Sequence, residues 1–211
     1  MPIAWNDDPP GSLLTIAANV AVLGRDLLAQ ARTRVNPALA LAQDWHRAIY
    51  QGVPLPVLYY AGEFRDADPR FPKLTGYDVI VGGHAGVGSS DVPTQLAAFE
   101  RAMRSVAVSL DAAIPAGNPP ASGPELTAVI RFAASAHGEW VRIHPFANGS
   151  GRTARCWANF VALRYGMPAF VTIKPRPADL LYAQAAQGSM RGEHTTTEVL
   201  FRGMLRQAVG P

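Results

Sequence analysis

Apolar and polar positions along most of this chain recur with the three- and four-residue steps of helices. Ser12 sits where an N-cap belongs, and the Ala- and Leu-rich run after it predicts a first helix to about Arg34, ended by Asn36-Pro37. Pro37 predicts the first turn of a second, in which Leu39, Leu41, Trp45 and Ile49 share a face until Gly52 and Pro54 stop it. A third is expected from Gln95 to about Leu110. Leu126, Val129, Ile130, Ala133, His137, Trp140 and Ile143 mark one face of an amphipathic helix. Cys156 to Tyr165 predicts another, closed by Gly166 and Pro168, and two more are expected from about Ala178 and Thr196.

Two stretches break the period. Residues 53–93 turn to Pro, Gly, Asp and aromatics, and Tyr77-Asp78-Val79-Ile80-Val81, followed by Gly82-Gly83-His84-Ala85-Gly86, predicts a small hairpin on a helical scaffold. Pro115 to Pro124 is a loop by composition. With 211 residues and no internal repeat, the expectation is one mainly α domain over 1–211.

Composition narrows the function classes. At 48% hydrophobic and 17% charged, the chain suits a folded globular protein rather than a disordered one. Lys73 and Lys174 are the only lysines, so 17 of 19 basic residues are arginine. That skew fits either a GC-rich genome or a use of guanidinium forks on phosphate. The arginines are scattered, and no nucleic-acid footprint is indicated. Cys156 stands alone, which excludes an internal disulfide and a multi-cysteine zinc site and fits a reducing, cytoplasmic setting. The N-terminus lacks a basic leader, and the apolar stretch Leu13 to Leu23 is short and runs into Arg25 and Asp26. Neither a signal peptide nor a membrane span is expected. Export without a cleavable signal stays open.

The chemistry gathers in HPFANGSGRTAR, His144 to Arg155. Gly149-Ser150-Gly151 before a helix offers backbone N–H groups and a positive dipole end to an anion. Arg152 and Arg155, three apart, project from one helical face and suit a polyphosphate. An imidazole beside them at His144 suits proton removal from a hydroxyl near neutral pH. Phosphoryl or nucleotidyl transfer follows as the reading. The stretch also satisfies G-x-G-x-x-A, but no buried strand precedes it and no βαβ period surrounds it. Neither lysine has a P-loop context, and His137 and His144 lack a third zinc ligand.

HPFANGSGR-x-x-R resembles the signature of Fic domains, H-x-F-x-(D/E)-G-N-G-R-x-x-R. Ala61-Gly62-Glu63-Phe64-Arg65 is similar to the segment before that family's flap, Tyr77 to Pro93 to the flap, and Glu139 to Ile143 to the helix entering the motif. The likeness covers about 55–190, with the helices of 1–52 packed on that core. It implies a compact helical bundle with one β-hairpin flap and transfer of AMP from ATP to a protein Ser, Thr or Tyr hydroxyl. By position, His144 would be the general base, Phe146 the loop's anchor, Gly149, Ser150 and Gly151 the anion nest, and Arg152 and Arg155 the phosphate ligands. Val79, Ile80 and Val81 would dock the target as an added strand.

Two positions depart from the signature. Asn148 stands where the family holds Mg²⁺ with a carboxylate, and a neutral amide binds a hard cation less well. Ser150 replaces an asparagine but keeps a donor. The alternatives are a nucleotide-binding regulatory pseudoenzyme, or a transferase of UMP, phosphate or phosphocholine. The family's inhibitory pattern, (S/T)-x-x-x-E-(G/N), is approached at Ser135 to Trp140 and Ser189 to His194, but both fail the last position. Either a small inhibitory partner protein restrains the chain or no restraint is needed. Tyr182 is left between a core position and an adenine contact. No membrane or nucleic-acid partner is expected.

Overall fold

In this computed structural model, which describes residues 1–5, 8–81 and 83–210, the apolar period folds into α-helices. They are α1 Leu13–Arg32, α2 Leu39–Ile49, α3 Val92–Ala113, α4 Gly123–Ile143, α5 Ser150–Arg164, α6 Leu180–Met190 and α7 Thr195–Val209. β1 Ile80–Val81 and β2 His84–Ala85 pair antiparallel, Ile80 opposite Ala85 and Val81 opposite His84. The architecture is mainly α with one small hairpin, as the sequence predicts.

The arrangement follows from which helix is buried all round. In α5, Ala154, Cys156, Trp157, Ala158, Phe160, Val161 and Ala162 are all buried, so this helix must be enclosed. α1 and α2 pack against it, α4 lies along it, and α3, α6 and α7 cover α4. Trp45, Trp157, Phe99 and Trp140 fill the shared core in edge-on and tilted pairs. Trp140 Nε1–H donates to the Thr153 hydroxyl at 2.7 Å, a buried polar tie between α4 and α5. At the other end of α4, the Ser122 hydroxyl accepts from Glu125 N–H, and the Glu125 carboxylate accepts from Ala121 N–H, close to a capping box. With both helices pinned, residues 144–149 between them have little freedom.

Several boundaries differ from expectation. Ser12 directs its hydroxyl to the Pro9 carbonyl at 2.6 Å instead of capping α1, and α2 opens at Leu39, past Pro37. α5 begins at Ser150, inside the glycine turn rather than just after it, because packing on α4 and a left-handed Gly149 N-cap override the weak helical preference of Ser-Gly. The predicted strand Tyr77 to Val81 shrinks to Ile80–Val81: Tyr77 N–H donates to the Leu74 carbonyl and the Tyr77 carbonyl accepts from Arg65, so both are spent outside the hairpin. Gly82, expected in the turn, lies outside the described residues. α1 runs on past the short apolar stretch and, among the described residues, is the one helix long and apolar enough to cross a membrane by length and composition. Its Ile16, Leu23, Leu27 and Ala31 stripe is buried.

Candidate functional site

α4 ends on His144, which adopts the left-handed conformation at φ 51°, ψ 59°. A side chain bearing Cβ is disfavoured there by about 1–2 kcal/mol, so the surroundings must hold it. His144 N–H donates to the Trp140 carbonyl, and its own carbonyl accepts from Arg65 Nε–H at 2.8 Å. Arg65 is fully buried and also donates to the carbonyls of Tyr77, Val87 and Ile143, at 2.6, 2.9 and 3.0 Å. One guanidinium thereby ties both ends of the hairpin to the end of α4. Burial lowers its pKa to about 10, which leaves it charged at neutral pH.

The imidazole of His144 is partly buried. Its Nδ1 lies 3.3 Å from the Val141 carbonyl, so Nδ1 carries the proton and Nε2 keeps a lone pair. Burial first, and then the nearby Arg65 charge, push its pKa down to about 4 against the opposing Val141 bond. At pH 7 the ring is a neutral acceptor.

Behind the motif stands a residue that its sequence context did not single out. His46 on α2 is completely buried, stacked on Phe146 with ring centres 3.9 Å apart. Its Nδ1 accepts from Gly62 N–H at 2.9 Å, so Nε2–H donates to the Asn148 carbonyl, also at 2.9 Å. Phe146, the expected anchor, is itself completely buried. Gly149 has φ +80°, and a Cβ there would lie 2.7 Å from the Tyr50 hydroxyl and 2.8 Å from His46 Nε2. Only glycine fits.

The nest residues part company. Gly151 lines the cavity in the first turn of α5, and its N–H precedes the first bonds of the helix, which run from Arg152 and Thr153 N–H to the Gly149 carbonyl at 2.9 and 3.2 Å. Gly149 lines it too, but its N–H is taken by Asn148 Oδ1 at 2.6 Å. Ser150 is buried, with its hydroxyl 3.1 Å from Phe146 N and 3.4 Å from Phe146 O. Its donor serves the loop rather than the cavity, which departs from the expectation of a phosphate contact.

Both motif arginines reach the cavity wall. Arg155 is braced by the Ile173 carbonyl, at 3.0 and 2.8 Å, and by the Tyr182 hydroxyl at 3.2 Å. Tyr182 is buried and in turn bonds His137, so it is a brace for Arg155 at the cavity wall. Arg152 donates to the Tyr50 hydroxyl and to Asp8. Burial holds that hydroxyl well above the usual phenol range, so it is a neutral partner. Asp8 also pairs with Lys174 at 3.3 Å, and Lys174 and Arg176 line the same cavity. Asp8, Tyr50, Lys174 and Arg176 lie far from the motif in sequence; the one signal for Lys174 is that lysine is so rare in this chain.

These residues enclose one cavity of about 890 Å³, within the range of small-molecule sites. His144, Gly151, Arg152, Arg155, Lys174 and Arg176 share its wall, with Trp5 on the N-terminal side and Val79 to Val81 along the hairpin. In the hairpin, Ile80 is 76% exposed and Val81 37%, whereas Val79 is buried at 9%. Ile80 and Val81 therefore present side chains outward, and Val79, expected beside them, does not. Neither inhibitory candidate pairs with Arg155 among the described residues: Glu139 bonds His194 and Arg142, and Glu193 pairs with Arg191.

The donor set does not suit a divalent metal. Asn148 Oδ1 is turned onto its own loop, and Asp8 is matched by two cations. Asp78, on the hairpin side, accepts from Ser89 N–H. Among the described residues no three His, Cys, Asp or Glu side chains gather to hold a metal ion. The chemistry available is that of a neutral imidazole sharing one cavity with Arg152, Arg155, Lys174 and Arg176.

The Fic/DOC family model matches residues 37–162. Proteins named protein adenylyltransferase Fic are similar over shorter stretches: 32% identical over 96 residues in Drosophila erecta, covering 46% of this chain and 16% of that protein. In Nematostella vectensis the figure is 49% over 45 residues, covering 21% of this chain and 10% of that one. The chain thus spans about one sixth or less of the length of these relatives. A crystal structure of a Fic domain containing signaling protein from Bacteroides thetaiotaomicron shares the fold, with a TM-score of 0.55 at 19% identity over 86% of this chain and 62% of that one.

Proposed function

Since the chain belongs to the Fic/DOC family, we propose that it is a Fic-type transferase that moves AMP from ATP to a Ser, Thr or Tyr hydroxyl of a target protein. The observation that carries this reading is the shared cavity, in which a neutral His144 faces the Arg152, Arg155 and Gly151 wall. The names of the relatives, protein adenylyltransferase, support the choice of group.

In this reading the target hydroxyl approaches along the hairpin, where Ile80 and Val81 are exposed and β1 offers a short edge. His144 Nε2 accepts the hydroxyl proton as the oxygen bonds to the α-phosphorus. The bond from that phosphorus to the bridging oxygen breaks, and pyrophosphate leaves with the electron pair. Charge developing on the phosphate oxygens meets Arg152, Lys174 and the N-terminal amides of α5. With a pKa near 4, His144 is always available as a base but a weak one. Bound polyphosphate raises it toward the working range by adding negative charge beside the ring. The N-terminal helices belong to the same functional unit, because Tyr50 and His46 of the α2 region brace the motif.

The test uses the full chain with a cell lysate and ATP labelled at either the α- or the γ-phosphate, beside His144→Ala. Label retained on protein from the α-position alone, and lost in the variant, is expected. Label from the γ-position would instead make it a phosphate transferase. ATP binding with no histidine-dependent label would make it a regulatory nucleotide-binding protein.

A further inference from the structure

One oxygen of Asp8 sits between two cations of the cavity wall: it accepts from Arg152 and lies 3.3 Å from Lys174 Nζ. These partners come from the N-terminal segment, the first turn of α5 and the segment between α5 and α6. Arg152 is oriented independently by the Tyr50 hydroxyl and ring, and the side chains of Arg152 and Lys174 are only 12% and 19% exposed. An anionic oxygen shared by a guanidinium and an ammonium has the geometry of a phosphate oxygen at a nucleotide site. The carboxylates at this cavity do not gather around a divalent ion: Asp8 is matched by two cations, Asp78 accepts from Ser89 N–H, and Asn148 is neutral and spends its Oδ1 on Gly149 N–H.

Resting on the transferase reading, we propose that Arg152 and Lys174 form a subsite for one oxygen of the donor's polyphosphate, supplying the counter-charge in place of a protein-held metal. Asp8 fills that subsite until the donor arrives. Polyphosphate and Asp8 cannot share the pair, since two anions would then face each other across one oxygen's space. Donor binding therefore displaces Asp8, and Lys174 rather than Asn148 sets donor affinity.

The experiment measures binding of an ATP analogue with a methylene between the α- and β-phosphates to the full chain by calorimetry, in EDTA and in Mg²⁺. The wild-type chain is expected to bind in both, within about threefold. Lys174→Met weakens binding by about tenfold or more, the loss of one charge-assisted bond, and Lys174→Arg restores most of it. Asp8→Asn tightens it by about fivefold or more, through removal of the competing charge. Thermal melts of each variant establish that it is folded. Binding that collapses in EDTA, indifference to Lys174→Met, or loss of Mg²⁺-dependent binding in Asp8→Asn would each overturn the proposal, the last by making Asp8 a metal ligand. If the analogue binds as described but no histidine-dependent label forms, the transferase reading falls and the subsite stands. If no condition gives binding, both fall.

Discussion

Replacing His46 by leucine probes the motif's support without touching the cavity wall. The imidazole spans two elements, taking the Gly62 N–H on Nδ1 and giving Nε2–H to the Asn148 carbonyl, both at 2.9 Å and both out of water. Leucine occupies similar space but leaves that donor and acceptor unpaired, at about 1–3 kcal/mol each. It also removes the ring stacked on Phe146, worth about 1 kcal/mol. The expected loss of unfolding free energy is about 3–7 kcal/mol, read from the urea midpoint at unchanged slope. Because the carbonyl released belongs to Asn148, the Asn148-Gly149 turn loosens, and affinity for the ATP analogue falls further than the stability loss alone would bring about. A loss below about 1 kcal/mol with unaltered affinity would refute the argument, since the two bonds would then be dispensable.

Other outcomes follow from the same geometry. His46 and His137 are held down to about 3 and His144 to about 4, each by burial first. Their folded pKa values lie below the unfolded value near 6.5, so the folded state binds fewer protons and stability is lost as pH falls from 6.5 toward 4, by up to about 1.4 kcal/mol per pH unit for each ring. NMR titration checks this: all three rings remain neutral at pH 5, and a ring titrating near 6.5 contradicts it. Gly149→Ala combines a left-handed backbone with clashes on Tyr50 and His46, and should cost about 2–4 kcal/mol and at least tenfold in donor affinity. Asn148→Asp keeps an acceptor for Gly149 N–H while adding a charge, so the fold should persist and donor binding should become responsive to Mg²⁺. Calorimetry with and without EDTA decides that.

Much of this was legible in the residues, and the remainder was hidden for identifiable reasons. The face running from Leu126 to Ile143 was readable because six of its seven positions are buried, with Leu126 partly so, and they recur at three- and four-residue steps. The start of α5 was readable to within two residues from the glycine turn, but not that Ser150 and Gly151 already belong to the helix, since Ser-Gly has no local helical preference and is held by packing on α4. The motif announced His144, Arg152 and Arg155, but no local pattern says that Arg155 is spent partly on the Ile173 carbonyl, or that Ser150 faces inward. Asp8 lies 144 residues from Arg152, and Tyr50 102 residues, so only the folded chain brings them together. Val79 was expected on the exposed flap, yet its side chain packs against Gly86 beside His144 and is buried, while its carbonyl accepts from Gly86 N–H at 3.0 Å.

The central claim is adenylyl transfer with His144 as base, and mass spectrometry of an acceptor protein tests it most directly. After incubation with ATP and the wild-type chain, the account predicts an added AMP on a Ser, Thr or Tyr side chain, and none with His144→Ala. A phosphate increment, or an AMP increment undiminished in His144→Ala, would contradict it.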